Sequence, residues 1–273
     1  MQKTIGIIGF GNMGSPIAQR IKSQYKTYVF DKDRNRTRGL SGLEVAKDNI
    51  DLIKAVDTVI LAVKPQDFEE VLSEIKTFIK NKLIISIAAG ITTKYIERRL
   101  GKIRIIRVVP NLPAKIKRGT TWLCKGKYAS HNDLAFAQKL FTYLGKTFKI
   151  KENLMNAATA ISGSGPGFLF YELRNRPKKE WRVYCSHYFI PELINAARQV
   201  GFSQRLASPS AIATVEGSLA LLQQSKLTPQ KLCAQVVSKK GTTEAGLKVL
   251  HKGGTLDEAV EAAVKRALEL LKE

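Results

Sequence analysis

Thr4-Ile5-Gly6-Ile7-Ile8-Gly9-Phe10-Gly11-Asn12-Met13-Gly14 is the stretch on which the reading of this chain turns. Residues 4–10 form an apolar run that breaks into glycines, and helical periodicity follows from Ser15 to Ser23. Gly9, Gly11 and Gly14 match G-x-G-x-x-G between a strand and a helix, the context that gives the pattern meaning. Gly9 permits a tight turn, Gly11 lets a pyrophosphate approach the backbone, and Gly14 lets the helix pack on the strand. The turn, with Asn12 and Met13 between its glycines, is the candidate dinucleotide cradle, because amides at a helix start attract phosphate. A tight turn without a ligand is the alternative.

A second strand, Thr27 to Phe30, ends at Asp31. A carboxylate there accepts hydrogen bonds from the adenine ribose and repels a 2′-phosphate, which favours NADH. Lys32, Arg34 and Arg36 follow at once and could hold a 2′-phosphate. NADPH and NADH both stay open.

Further apolar runs stand at 58–63, 83–89 and 103–109, with helix-compatible segments around Asn49–Val56, Phe68–Ile79 and Thr92–Leu100. Fully apolar strands alternating with helices predict a parallel sheet covered on both faces. The fold class is α/β: an N-terminal Rossmann-type, doubly wound parallel sheet. Near Lys151 the texture changes. Helical periods dominate at Leu154–Ile161, Pro191–Gly201, Pro209–Gln223, Pro229–Val236 and Leu256–Leu271. In the last, Thr255 and Glu258 suggest a capping box. Leu256, Ala259, Val260, Ala263, Val264, Ala267, Leu268 and Leu271 suggest one apolar stripe. The expected domains are residues 1–152, binding the dinucleotide, and residues 153–273, all helical. Residues 172–187 (ELRNRPKKEWRVYCSH) have no clean period. They read as a surface insertion loop, or less simply as a basic and aromatic patch for a polyanion.

Bulk properties narrow the class. The chain has 273 residues, 44% of them hydrophobic, so it can bury a core. No run reaches the roughly 20 apolar residues of a membrane span, and no secretory leader is legible. Cys124, Cys185 and Cys233 are too scattered for a disulfide framework or a zinc site and suggest free thiols in a reducing cytoplasm. The net charge of +22 draws anions in general. Without a zinc-finger or RNA-binding signature it does not by itself imply nucleic acid.

Five elements together carry a family resemblance. They are Ala62-Val63-Lys64-Pro65-Gln66; Ser86-Ile87-Ala88-Ala89-Gly90; Arg107-Val108-Val109-Pro110-Asn111-Leu112-Pro113-Ala114; Thr159-Ala160-Ile161-Ser162-Gly163-Ser164-Gly165-Pro166; and Ser238-Lys239-Lys240-Gly241-Thr242-Thr243. In this order the chain resembles the pyrroline-5-carboxylate reductases over all but residues 172–187. The resemblance implies hydride transfer from NAD(P)H to a cyclic imine bearing a carboxylate, giving L-proline, the last step of proline biosynthesis. NADPH is the family expectation. The cofactor carries the hard chemistry. The protein must hold the imine carbon, bind the carboxylate and serve the nitrogen. No metal is implied, and His131, His187 and His251 read as ordinary polar residues.

The resemblance also implies roles. Ser238 and Thr243 stand at the substrate, with Thr243 toward the imine or amine nitrogen. Amides of Gly241, Thr242 and Thr243 would hold the carboxylate. A helix cap before Glu244 is the plainer reading of the two threonines. Glu152 matches a carboxylate near the product, or is a first-turn dipole residue. Asn49, the Ala62-Val63-Lys64-Pro65 element, Ala88 and Ala89 match the cofactor side, the alanines admitting a flat ring. A homodimer, or a ring of dimers, through the helical domain is implied.

Three departures stand out. Lys239 and Lys240 replace the family's usual Pro-Gly, and a residue needing positive φ there would be strained by about 1 kcal/mol or more. Leu112 replaces a usual Thr. The 172–187 segment interrupts a helix used for dimerisation. These departures motivate the alternative of a non-catalytic dinucleotide-binding relative; a reductase of another small imine is a further one.

Overall fold

The computed structural model describes residues 3–270. The first half runs β1 (Ile5–Ile8), α1 (Gly14–Ile21), β2 (Thr27–Phe30), β3 (Glu44–Val45), α2 (Asn49–Ala55), β4 (Thr58–Leu61), α3 (Pro65–Ile75), β5 (Leu83–Ser86), α4 (Thr93–Leu100) and β6 (Arg104–Val109). Then come β7 (Gly119–Lys125), α5 (His131–Thr142) and β8 (Gly145–Lys149). The strands lie in the order β3-β2-β1-β4-β5-β6-β7-β8. Each pairing from β3 through to β6 is parallel. The order reverses at β1, so the crevice beyond the carboxyl ends of β1 and β4 is the switch point where such sheets bind ligands.

Local chemistry sets the helix starts. Asp48 accepts the Asp51 amide at 2.7 Å ahead of α2, and Thr92 accepts the Tyr95 amide at 3.0 Å ahead of α4. Pro65 opens α3, where a missing N–H costs nothing. Three stretches here escaped the sequence reading: β7 with its polar Thr120 and Thr121, α5, whose apolar face is weakly patterned, and β8.

Two compact units emerge. One comprises the chain up to Val108 with Leu123–Leu144; the other comprises Val109–Trp122 with everything from Gly145. The hand-off thus precedes the change of texture near residue 152, because β8 belongs to the second unit, and one earlier segment joins it too. In the second unit Trp122 is fully buried, stacked on Phe202 at 4.9 Å, and donates its indole N–H to Ser162 Oγ at 2.7 Å.

From residue 153 on, the described residues are helical or in turns. They form α6 (Met155–Ala158), α7 (Gly165–Leu173), α8 (Trp181–Tyr184), α9 (Ile190–Gln199), α10 (Gln204–Ser225), α11 (Pro229–Val236), α12 (Thr242–His251) and α13 (Leu256–Glu269). A wide π turn, Thr159–Ser164, joins α6 to α7, and another, Cys185–Phe189, joins α8 to α9. Pro166 and Pro191 stand just after these turns. Each lacks an N–H and would clash with the carbonyl four residues back, so the helix widens rather than breaks.

The 172–187 loop expectation needs correction. Only the turn around Arg174–Pro177 is irregular; the rest is the end of α7, a 3-10 turn, α8 and the start of the second π turn. Irregular charge hid the helix, which rests on Tyr184, with Arg176 over its ring at 3.7 Å, and on fully packed Phe189. The Thr255–Glu258 capping box is present. Leu256, Ala259, Val260, Ala263 and Ala267 are buried, but Leu268 is 48% exposed. Twelve positions at about 100° each carry residue 268 roughly 120° from Leu256. Leu271 lies outside the described residues. Among the described residues no helix is long and apolar enough to cross a membrane.

Asp133 illustrates how the first unit uses charge. It closes a capping box with Ser130 and pairs with Arg104 at 2.9 Å. Burial raises its pKa, but the Ser130 hydrogen bonds and the Arg104 cation outweigh that and hold the carboxyl below its ordinary range. A depressed folded pKa adds stability above the unfolded value of about 3.9, and that stability is lost as pH falls through the folded value. Asp133→Asn is therefore expected to lower unfolding free energy by about 1–2 kcal/mol at pH 7. The gap to the parent should shrink in urea titrations near pH 3; an equal gap at both pH values refutes the linkage.

Candidate functional site

The turn after β1 is held by contacts that leave no room for side chains. Gly9 has φ of +98°, and a Cβ there would lie 2.6 Å from the Ala62 carbonyl oxygen. A Cβ on residue 14 would lie 1.9 Å from the Gly9 oxygen. Gly11 differs: a Cβ would meet nothing nearer than the Arg36 guanidinium at 3.5 Å, so its backbone is bare on that side. Met13 caps α1 without a side-chain hydrogen bond. The first amides of α1 thus receive no side-chain cap, the property required of a phosphate cradle.

The strand ends bring the other residues expected on the cofactor side of the first unit to the same edge. Ala62, beyond β4, donates its amide to Ile8 at 2.8 Å; Val63, Lys64 and Pro65 follow at the start of α3. Ala88 and Ala89 follow β5, the first buried and the second exposed. Asn49 opens α2. Its Nδ2 donates to Glu74 at 2.6 Å, while its buried Oδ1 has no partner. A buried acceptor left bare is costly, so it marks a place for a donor. The bare Gly11, the uncapped α1 and the Asn49 oxygen together fit a dinucleotide.

Asp31 is more occupied than its position at a strand end suggests. Its Oδ2 accepts the Phe10 amide at 2.6 Å and faces Arg36 at 3.5 Å; its Oδ1 accepts the Asp33 amide at 2.9 Å. It ties the glycine turn to β2, and its charge is partly balanced by Arg36. Arg34 lies over the Phe30 ring and donates to the Ala46 carbonyl at 3.2 Å.

In the second unit the candidate substrate residues gather at the start of α12. Thr242 and Thr243 are buried. Thr243 Oγ1 donates to Ser164 Oγ at 3.0 Å, and Ser164 shares a second 3.0 Å bond with Thr242 Oγ1. Neither threonine caps the helix: Gly241 holds the cap position, so the capping reading of these residues is corrected. Gly167 allows this approach, since a Cβ there would lie 2.6 Å from the Thr243 methyl. Ser164 was quoted within its motif without a role. The available signal was a second hydroxyl residue inside a helical run, where serine has no turn to make. Asn111 also braces this region, donating to the Ser162 carbonyl at 3.0 Å and accepting the Thr120 amide at 2.8 Å. Glu152 begins a short 3-10 turn ahead of α6.

The loop before α12 is a turn closed by the Gly241 amide on the Ser238 carbonyl at 2.9 Å, with Ser238 exposed. Lys240 takes φ of +57° there. Two groups staple it: the Glu244 carboxylate accepts its amide, and Arg266 donates to its carbonyl at 2.7 Å. Among the described residues no His, Cys, Asp and Glu cluster could hold a metal.

Comparison with known proteins adds the following. A family model described as pyrroline-5-carboxylate reductase dimerisation matches residues 185–272. One described as NADP oxidoreductase, coenzyme F420-dependent, matches residues 4–90. The pyrroline-5-carboxylate reductase of Aquifex aeolicus is 33% identical, covering 97% of this chain and 97% of its own. That of Pisum sativum is 32% identical, covering 98% and 96%. A Plasmodium falciparum pyrroline carboxylate reductase solved with NADP bound is 29% identical, with a TM-score of 0.64 and 98% of each chain covered.

Left-handed backbone at Lys240 is strained where glycine would not be. Lys240→Gly keeps both staples, which use backbone atoms. It is expected to gain about 0.5–1 kcal/mol after glycine's larger unfolded-state entropy is deducted. Calorimetry should read a melting point about 1–4 °C higher; an unchanged or lower value shows that the turn carries no strain.

Proposed function

The chain belongs to the pyrroline-5-carboxylate reductase family, and from that premise we propose that it reduces 1-pyrroline-5-carboxylate to L-proline with NAD(P)H. The observation that carries the reading is the buried hydroxyl chain Thr243–Ser164–Thr242 beside the Ser238–Thr243 loop. A hydroxyl has one proton and two lone pairs. Thr243 spends its proton on Ser164, so its oxygen is left an acceptor. Such an oxygen complements the N–H of a protonated imine, the more electrophilic form, and afterwards the N–H of the amine product. Loop amides of Gly241, Thr242 and Thr243 at the start of α12 suit the carboxylate, with the helix dipole in support. Ser238 would orient the substrate from the loop, and Glu152 would lie near the product.

On the cofactor side, the turn Gly9–Gly14 with Asn12 and Met13 would hold the pyrophosphate. Asn49, Ala62, Val63, Lys64, Pro65, Ala88 and Ala89 would line the rest. Bound NAD(P)H supplies the hydride. Asp31 would face the adenine ribose, but its carboxylate is committed to the Phe10 and Asp33 amides. The Arg36 guanidinium beside the bare Gly11 supports a 2′-phosphate, hence NADPH. The division of labour follows the sequence boundary, a dinucleotide domain to residue 152 and a helical substrate domain from 153, although residues 109–122 and β8 pack with the second compact unit. The match to the dimerisation model supports a homo-oligomer, for which a homodimer or a ring of dimers is our reading. Free thiols support a reducing cytoplasm.

The test is loss of nicotinamide absorbance with pyrroline-5-carboxylate and either cofactor. Thr243→Ala should lower kcat/KM about 10- to 100-fold, the worth of a hydrogen bond to a charged group, with dinucleotide affinity unchanged. Unchanged kcat/KM removes Thr243 from the site. Folded protein that binds dinucleotide without turnover favours the non-catalytic alternative. Arg36→Ala should raise KM for NADPH about tenfold or more and leave NADH nearly untouched; equal effects on both would show that Arg36 does not read the phosphate.

A further inference from the structure

The three hydroxyls that meet between the first π turn and α12 have three protons, and each can be followed. Ser164 is fully buried, while Thr242 and Thr243 are 8% and 5% exposed, so only the two ends of the chain retain any surface. Thr243 donates to Ser164. The other hydrogen-bond neighbour of the Ser164 hydroxyl among the described residues is Thr242 Oγ1 at 3.0 Å. Elsewhere in the same turn Thr159 and Ser162 return their protons to the carbonyls of Met155 and Ala158, four residues back, at 2.9 and 3.0 Å. Ser164 makes no such bond; it points out of the turn, toward α12. A buried hydroxyl whose proton finds no acceptor is costly, so the Ser164 proton goes to Thr242.

Every link then runs one way, from Thr243 to Ser164 to Thr242. Thr243 keeps a lone pair and has no proton left to give. Thr242 keeps a proton for which no acceptor lies among the described residues. The Thr243 rotamer is held as well, because its methyl packs 2.6 Å from where a Cβ on Gly167 would be.

We infer that Ser164 is a positioning residue that sets this polarity, and that the Thr242 hydroxyl is a further binding residue, a donor to the substrate carboxylate. The inference deepens the proposed function and rests on it for the ligand. In 1-pyrroline-5-carboxylate the ring nitrogen and the carboxylate share one carbon, so a protonated imine and an anion lie side by side. The Thr243 lone pair accepts the N–H, and the Thr242 proton goes to a carboxylate oxygen beside the loop amides. Both threonine oxygens lie 3.0 Å from one serine oxygen, hence within about 6 Å of each other, a span that one small ligand bridges. Reversed polarity would set a proton against the N–H and a lone pair against the carboxylate.

The test reads binding by calorimetry on the whole chain, saturated with oxidised dinucleotide. The probes are L-proline and cyclopentanecarboxylate, which share the carboxylate and the ring size; only proline carries an N–H. The parent should prefer proline about tenfold or more. Ser164→Ala releases the Thr243 proton. It should weaken proline about tenfold, change cyclopentanecarboxylate less than about threefold, and lower kcat/KM about tenfold. Ser164→Cys keeps a weak acceptor in place and should restore part of the preference for proline. Thr242→Val should weaken both probes alike, by about three- to tenfold. Equal loss of the two probes in Ser164→Ala means that the serine only packs the helices, which overturns the positioning role. Probe affinities unchanged in Thr242→Val overturn the donor. A parent that binds neither probe, or both equally, overturns the polarity. A preference for proline that disappears in Ser164→Ala, in a chain that never turns over the imine, refutes the proposed function and leaves the polarity standing. Turnover that is undiminished in Ser164→Ala does the reverse.

Discussion

The Gly9 carbonyl lies 1.9 Å from where a Cβ on residue 14 would be, and the nucleotide end of the first unit follows from that contact. It seats α1 directly on the turn after β1. The same turn is pressed against the Ala62 backbone beyond β4, so the two strands flanking the switch point are joined through backbone alone. Asp31 completes the frame from β2 by accepting the Phe10 amide. Its carboxylate is thus a structural anchor of the cradle, whatever it does toward a ribose. The neighbouring Arg36, 3.5 Å from its Oδ2, partly balances that negative charge.

The second unit solves a different problem: bringing hydroxyls from residues nearly eighty positions apart into hydrogen-bonding contact. Ser164 ends a π turn forced by Pro166, and the absent Cβ at Gly167 lets the Thr243 methyl approach α7. The three hydroxyls satisfy one another in the interior, where an unpaired one would cost about 1–3 kcal/mol. One chain of hydrogen bonds therefore packs the helices and leaves an acceptor at the start of α12.

Surplus positive charge is handled locally. Lys240 tolerates a left-handed backbone because Glu244 and Arg266 engage its peptide groups. In the 172–187 stretch, Arg174 and Arg176 are laid over tyrosine rings, which converts charge into packing. The Tyr184 hydroxyl donates to Glu172 at 3.1 Å, and burial pushes the Cys185 thiol up to about 12, leaving it protonated and unreactive. What reads in sequence as a surface insertion loop is thereby held largely as helix.

The sequence by itself determined the parallel sheet, the glycine turn and the helical second half. These are set by period, by apolar run and by glycines whose backbone demands are local. It also carried the family, because five motifs in order are hard to match otherwise. Short-range pattern could not reach β7, α5 or the fold of residues 172–187, where packing against distant side chains overrides weak periodicity. Nor could it assign Ser164 a partner or turn Leu268 outward. Whether Thr243 caps a helix or joins a hydroxyl chain depends on what faces it across a gap in sequence of seventy-nine positions. Only the tertiary structure decides that, because burial and hydrogen-bond partners are properties of the packed chain rather than of its neighbours in line.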